Sequence, residues 1–278
     1  MRIRYSFSSR RTGHLKNIKK QREKVPALIR KVIDASDILL EVLDARFLQE
    51  TRNSEVESYI LKQGKKIIYI LNKSDLVDTK EVKKKIVLLN LYPYVLISCK
   101  NRQGSNDLRK RIKIEAKKIE GYKLIQVGII GYPNTGKSSL INFLTGSRLG
   151  TAASAGFTKG LHKVKLAEGI LLLDTPGIIP DKENSAMSNK DLIKHAKINV
   201  RDWDKVKSPD IIVFSLFKQY PEAIEKYYSI KPDDFESFIE KLGRKNNFLS
   251  KNNQVDLDRT CRKVLRDWQE GRIKFNIL

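Results

Sequence analysis

Five short, nearly unbroken apolar runs constrain this chain more than anything else in it: Ile38–Leu43, Ile67–Leu71, Tyr94–Ile97, Leu124–Ile130 and Gly169–Leu173. Each ends at a polar turn, and most are followed by a stretch able to form a helix. Continuous apolar runs, without the alternation of a one-sided strand, belong to a parallel sheet covered by helices on both faces. Leu161–Leu166 alternates instead and predicts a hairpin with Ile170–Leu173. On sheets of this kind ligands collect at the carboxyl ends of the strands, so the turns after these runs are where chemistry is to be sought.

The flanks differ from this centre. Residues 1–31 hold eleven Lys or Arg and a single acid, Glu23, which is +10 of the chain's formal +23. Leu15, Ile18, Arg22, Val25, Ile29 and Val32 recur at helical spacing, and Pro26 restarts or kinks that helix. After about residue 182 the pattern turns helical. Met187–Val206 is polar and helix-capable. Ile211–Phe214 reads as a strand or, after Ser208-Pro209-Asp210, equally well as a helix start. Leu257, Cys261, Val264, Leu265 and Trp268 form one helical stripe that Gly271 ends, and Lys251–Gln254 is a loop. The expected architecture is α/β, with residues 1–182 as the sheet domain plus a basic extension and 183–278 as an all-helical domain.

The excess of 55 Lys and Arg over 32 Asp and Glu calls for a polyanionic partner, such as nucleic acid. An anionic membrane is the other natural candidate, but no apolar run approaches the ~18 residues that span a bilayer, and a membrane role would rest only on the basic N-terminus, so none is expected. Cys99 and Cys261 are the only cysteines, and neither sits in a metal-binding pair.

The strongest motif is Gly131-Tyr132-Pro133-Asn134-Thr135-Gly136-Lys137-Ser138, a G-x-x-x-x-G-K-[ST] between a strand and a helix start. Gly131 and Gly136 let the backbone turn so that its N–H groups, those of Asn134 to Ser139 among them, face a phosphate. The helix N-terminus adds partial positive charge. Lys137 reaches the β- and γ-phosphates, and the Ser138 hydroxyl ligates Mg²⁺.

The base is chosen elsewhere. In Asn72-Lys73-Ser74-Asp75 the Asp75 carboxylate can accept from N1–H and the exocyclic amine of guanine, whereas adenine would leave it buried and unpaired. Asn72 can bond N7, and the Lys73 stem can lie over the ring. Ser98-Cys99-Lys100 ends another strand, and the Cys99 N–H can bond guanine O6. Asp174-Thr175-Pro176-Gly177 ends the last run: Asp174 would hold Mg²⁺, and the Gly177 N–H would meet the γ-phosphate. Thr158 is suited to Mg²⁺ in a loop ordered by triphosphate.

These five elements are those of GTPases, in an unusual order: Asn72–Asp75 and Ser98–Lys100 precede the phosphate loop, and Asp174–Gly177 comes last. The chain therefore looks like a circularly permuted P-loop GTPase domain with a C-terminal all-helical domain. Its resemblance narrows to the RbgA/YlqF family of ribosome-assembly GTPases, over nearly the whole chain. The quoted features are Gly13-His14, Asp44-Ala45-Arg46 with Arg52-Asn53, Asp174–Ile178, and the helix around Leu265–Trp268 with Gly271-Arg272. Three departures stand out: 30 residues from His14 to Asp44, Phe47-Leu48 where the family has Ile-Pro, and Ala155-Gly156-Phe157-Thr158 in place of Pro-Gly-Val-Thr.

The resemblance implies GTP and GDP as ligands, maturation of the large ribosomal subunit through its rRNA, and hydrolysis stimulated by that subunit. Ile178 stands where many GTPases place a water-orienting Gln. The resemblance offers two substitutes: Asn134, matching an asparagine that helps bind K⁺, and His14, matching a proposed catalytic histidine. With Lys137 these are the expected catalytic residues. Mg²⁺ and K⁺ are the expected cofactors, and a monomer is expected. The alternative is an RNA-binding scaffold that binds guanine nucleotide but scarcely hydrolyses it. His162 and His195 show no ligand spacing. Arg46 and Arg52 fit rRNA contacts and internal salt bridges equally, and Arg109-Lys110-Arg111 reads as a solvated helix face. The first 13 residues resemble a mitochondrial transit peptide, but removing one would take His14 with it, so the cytoplasm is the expected location.

Overall fold

The structure, a computed structural model, describes residues 26–119, 124–146, 163–173, 189–231 and 233–275. Six strands make one sheet: β1 (Ile38–Asp44), β2 (Lys66–Asn72), β3 (Tyr94–Leu96), β4 (Ile125–Ile130), β5 (Lys163–Ala167) and β6 (Ile170–Leu173). Their order is β3-β2-β1-β4-β6-β5. All neighbours are parallel except β5 and β6, which form the expected hairpin.

Helices cover both faces. α1 (Ala27–Ala35), α3 (Ser54–Lys62) and α4 (Thr79–Leu89) bury Ile33, Ile60 and Ile86 against Leu39 and Leu43 of β1. α5 (Ser105–Ala116) and α6 (Lys137–Thr145) bury Ile112 and Leu140 against Ile38, Leu40 and Val42, the alternate residues of the same strand. All seven residues of β1 are buried, which is why the run shows no polar alternation. A short α2 (Leu48–Thr51) follows β1. The helices start where the chemistry of their first residues directs. Asn53 accepts from the Val56 N–H, and Asp78 from the Lys80 N–H, relieving backbone donors that the helix leaves unpaired.

The C-terminal part is helical: α7 (Asn189–Lys197), α8 (Pro209–Gln219), α9 (Pro221–Tyr228), α10 (Phe235–Lys245) and α11 (Leu257–Gln269). Ile211–Phe214 is helical because Pro209 opens α8 at a position where a missing N–H costs nothing. Met187–Val206 is only partly helix: α7 stops at Lys197, and Asn199 takes a left-handed conformation (φ 61°). Of the stripe on α11, Cys261, Val264, Leu265 and Trp268 are fully buried, whereas Leu257 at its start is exposed.

The helical core is not closed by the helices alone. Phe47 and Tyr132, from the turns after β1 and β4, belong to it. The Phe47 ring lies 6.1 Å from Trp268 and 5.5 Å from Phe275, and Trp268 stacks on Phe275 at 4.7 Å. The phenylalanine that departs from the family pattern thus seats the helical region on the sheet.

The register defines one end of the sheet. Asp44 pairs with Asn72 at the last position of β1 and β2, and Glu41 with Ile130 at the last position of β4. From β1 the chain runs outward to β2 and β3, then returns to the other side of β1 as β4. The reversal opens a crevice at the carboxyl ends of β1 and β4.

Candidate functional site

The phosphate loop occupies that crevice. Gly136, at the start of α6, has φ 101°, and a Cβ there would come within 2.1 Å of the Asn72 amide nitrogen, so backbone conformation and space both require glycine. Thr135 Oγ1 donates to the Tyr132 carbonyl at 2.9 Å. Lys137 is buried, and its Nζ donates to the carbonyls of Gly131 (3.1 Å) and Tyr132 (2.6 Å). The ammonium is thereby fixed over the loop rather than trailing into solvent. Ser138 and Ser139 are exposed in the first turn of α6.

Asn72 joins three loops. Its Nδ2 donates to the Thr135 carbonyl at 2.8 Å, and its Oδ1 accepts from the Cys99 N–H at 3.3 Å. Asn72 and the Cys99 N–H, the groups expected to meet guanine N7 and O6, bond one another here. The residue ties the ends of β2 and β3 to the phosphate loop, contacts that its four-residue motif does not reveal.

Asp75 lies in a 3₁₀ turn, Ser74–Leu76, and accepts at Oδ1 from Ser98 Oγ at 2.6 Å. Ser98 is fully buried and also accepts from the Asn101 N–H. One carboxylate oxygen is thus oriented by protein, as a reader of two adjacent donors needs. Burial, with the Asp75 charge nearby, pushes the Cys99 thiol up to about 11, so its sulfur stays protonated at neutral pH. Lys100 is exposed.

Lys73 takes a left-handed backbone (φ 62°), and its Nζ binds Asp44 Oδ2 at 2.7 Å. Asp44 also meets Arg46 through Nε–Oδ1 (3.0 Å) and Nη2–Oδ2 (2.8 Å). Burial alone would raise the Asp44 carboxyl, but the two cations hold it well below the ordinary carboxylate range. Arg46 then donates from Nη1 to the Trp268 carbonyl at 3.2 Å. A continuous polar chain runs from Lys73, at the end of β2, to α11.

Three further contacts tie the site to the helical region. Asn134, exposed and left-handed (φ 58°), donates from Nδ2 to the Asn199 carbonyl at 2.6 Å. The Tyr132 hydroxyl accepts from Lys194 Nζ at 3.3 Å, and Gly271 approaches Leu76 so closely that a Cβ would meet its side chain at 2.5 Å.

Both Arg46 and Arg52 take the internal alternative. Arg52 pairs with Glu57 (Nε–Oε1 2.5 Å) and donates to the Leu89 carbonyl. Arg109 is not simply solvated: its guanidinium donates to the Leu144 and Leu166 carbonyls, bracing α5 against α6 and β5. His195 is buried within the helical region. His14, Thr158, His162, Asp174, Gly177 and Ile178 lie outside the described residues. Among the described residues no cluster of His, Cys, Asp and Glu could hold a metal by itself, and no helix is long and apolar enough to cross a membrane.

The chain matches the family of 50S ribosome-binding GTPases over residues 126–246. That stretch opens at β4, so Asn72–Asp75 precedes it in sequence, as a permuted order requires. An uncharacterized GTP-binding protein of Methanocaldococcus jannaschii is 37% identical over 260 residues, 91% of this chain and 67% of that protein. Nucleolar GTP-binding protein 2 of Neurospora crassa is 36% identical over 252 residues, covering 88% of this chain but 40% of the fungal protein. Among solved structures, GNP-bound YlqF from T. maritima superposes with a TM-score of 0.65 at 25% identity, over 90% of this chain and 95% of that one.

Proposed function

Because this chain belongs to the YlqF-type family of circularly permuted GTP-binding proteins, we propose that it hydrolyses GTP to GDP and phosphate and uses that cycle as a switch in maturation of the large ribosomal subunit, contacting its rRNA. The observation that carries the guanine assignment is the Asn72 amide, which bonds the Thr135 carbonyl of the phosphate loop and the Cys99 N–H beside Asp75 and Ser98. The ribosomal assignment rests on the family, on nucleolar relatives such as that of Neurospora crassa, and on the +23 charge. The chain spans only two thirds of the Methanocaldococcus relative and 40% of the fungal one, so their further segments have no counterpart in this reading.

In this reading Lys137 and the loop N–H groups of Asn134 to Ser139 hold the phosphates, while Asp75, Ser98, Cys99, Lys100 and the Lys73 stem hold the base. Thr158, Asp174 and Gly177 would close over the γ-phosphate. Ser138 presents an exposed hydroxyl at the start of α6, a hard oxygen donor that fits Mg²⁺, with Thr158 and Asp174 as its companions. Held by these residues, Mg²⁺ would supply charge neutralisation at the phosphates. Asn134 commits its amide nitrogen to Asn199, which leaves Oδ1 as the atom to meet K⁺. His14 is the second candidate for the work that Ile178 cannot do.

Residues 1–182 act as the nucleotide domain and 183–278 as the part that meets the ribosome, in the cytoplasm and as a monomer. In sequence, the residues after Asp174 precede α7. Nucleotide state would therefore reach the helices through that segment, through Asn134–Asn199, and through Lys73–Asp44–Arg46–Trp268.

The test is phosphate release with and without purified large subunits from the same source, in K⁺ and in Na⁺ buffer. The switch reading expects stimulation of at least about tenfold by subunits, greater in K⁺. Tight nucleotide binding with flat release in every buffer would favour the scaffold reading.

A further inference from the structure

One surface of this very basic chain has the opposite character. A groove of about 450 Å³ opens between α8, α10 and the start of α11. Its apolar lining is Ile211, Phe214, Phe235, Ile239, Val255 and Leu257. Ile211, Phe214 and Leu257 keep 49%, 41% and 48% of their surface exposed, an unusual cost for large side chains lying together. Its charged lining is entirely acidic: Asp210, Glu236 and Glu240. Glu240 is bonded to Arg244 on its own helix, and Lys218 lies over the Phe214 ring at 4.5 Å, but neither cation lines the groove.

Three carboxylates around an apolar floor repel phosphate, so the groove does not fit the RNA that the rest of the surface attracts. The floor is made by side chains on two helices, Ile211 and Phe214 at i, i+3 and Phe235 and Ile239 at i, i+4. It is made for side-chain insertion rather than for adding a strand. We propose that this groove docks a helix of a ribosomal protein, one carrying apolar side chains on one face and Lys or Arg along its edges. This rests on the large-subunit reading above. The nucleic acid and the protein of that particle would then meet different faces of the chain, sorted by charge.

The experiment uses the full chain with a photoreactive benzophenone amino acid in place of Phe214, bound to large ribosomal subunits with a GTP analogue and irradiated. The expected product survives nuclease, and its peptide map shows an apolar, Lys- or Arg-bearing helical segment of a ribosomal protein. A product that nuclease destroys, one joined to this chain's own residues or to a second copy, or no product from bound chains overturns the proposal while leaving subunit binding intact. A chain that fails to bind subunits at all overturns the large-subunit reading, and this proposal with it. As a second measurement, Glu236→Lys combined with Glu240→Lys should weaken subunit binding about tenfold while GTP affinity and the melting temperature stay as in the wild type. Unchanged subunit affinity overturns the proposal.

Discussion

The loops at the carboxyl end of the sheet and the helices seated on them are held together in different ways. Each nucleotide-facing loop is a short local motif whose residue types follow from what it must touch. The seat of the helices joins positions far apart in sequence: Arg46 to Trp268 across 222 residues, and Asn134 to Asn199 across 65. The same turns serve both purposes. Tyr132 belongs to the phosphate loop and to the helical core, and Asp44 anchors both Lys73 and Arg46. A change of ligand at these loops therefore acts on residues that also hold the helices. Chemistry here is written locally, whereas coupling is written in which loop meets which helix.

That contrast can be broken most sharply at Asp44. Asp44→Asn leaves two cations facing a neutral amide in a fully buried place, and should cost about 3–5 kcal/mol in urea unfolding at pH 7. The sign with pH is definite. The folded carboxyl lies below its unfolded value of about 3.9, so the wild type's advantage is complete above that value and is lost as pH falls through the folded one. An unfolding free energy for the variant within about 1 kcal/mol of wild type at pH 7 would show that the polar chain to Trp268 carries little.

Asp75→Ala should separate ligand from scaffold. Asp75 is only half-buried, with Ser98 as its hydrogen-bond partner, so stability should change by less than about 1 kcal/mol. Affinity for a fluorescent GTP analogue should fall about a hundredfold, from the loss of two bonds to a charged acceptor. Equal affinity of wild type and Asp75→Ala for the analogue would remove Asp75 from base recognition.

The smallest effect lies in the middle of β1. Glu41 is fully buried and accepts from the Asn53 N–H. Burial and then the negative charge of Glu57 hold its carboxyl well above the ordinary range. A raised value means stability that is complete below the unfolded value of about 4.3 and is lost as pH rises toward the folded one. Glu41→Gln should stay within about 1 kcal/mol of wild type near pH 4.5 and gain on it as pH rises to 9. Parallel urea curves of the two proteins across that range would refute the raised value.

Much of this was readable before any fold was known. Unbroken apolar runs mark strands covered on both faces, and β1, β2 and β4 lie where those runs do. The phosphate loop and Asn72–Asp75 were readable because a bound phosphate or base demands particular atoms at fixed spacing. Ile211–Phe214 was ambiguous because four apolar residues after a proline suit a buried strand or a helix alike, and only the packing of Ile212, Val213 and Leu216 into the helical core decided it. The Asn72 motif specifies an amide but not which protein groups it also bonds, so its contacts with Thr135 and Cys99 belong to the tertiary structure.

What the sequence determined by itself, then, was the sheet, the order of its loops and the class of ligand, because period and spacing act over a few neighbouring residues. Only the tertiary structure decided that Arg46 and Arg52 turn inward to carboxylates, that Phe47 and Tyr132 leave their loops for a helical core, and that three acids gather around an exposed apolar groove. Those outcomes depend on which distant side chains come within hydrogen-bonding or packing reach, and the spacing of residues along a chain does not carry that information.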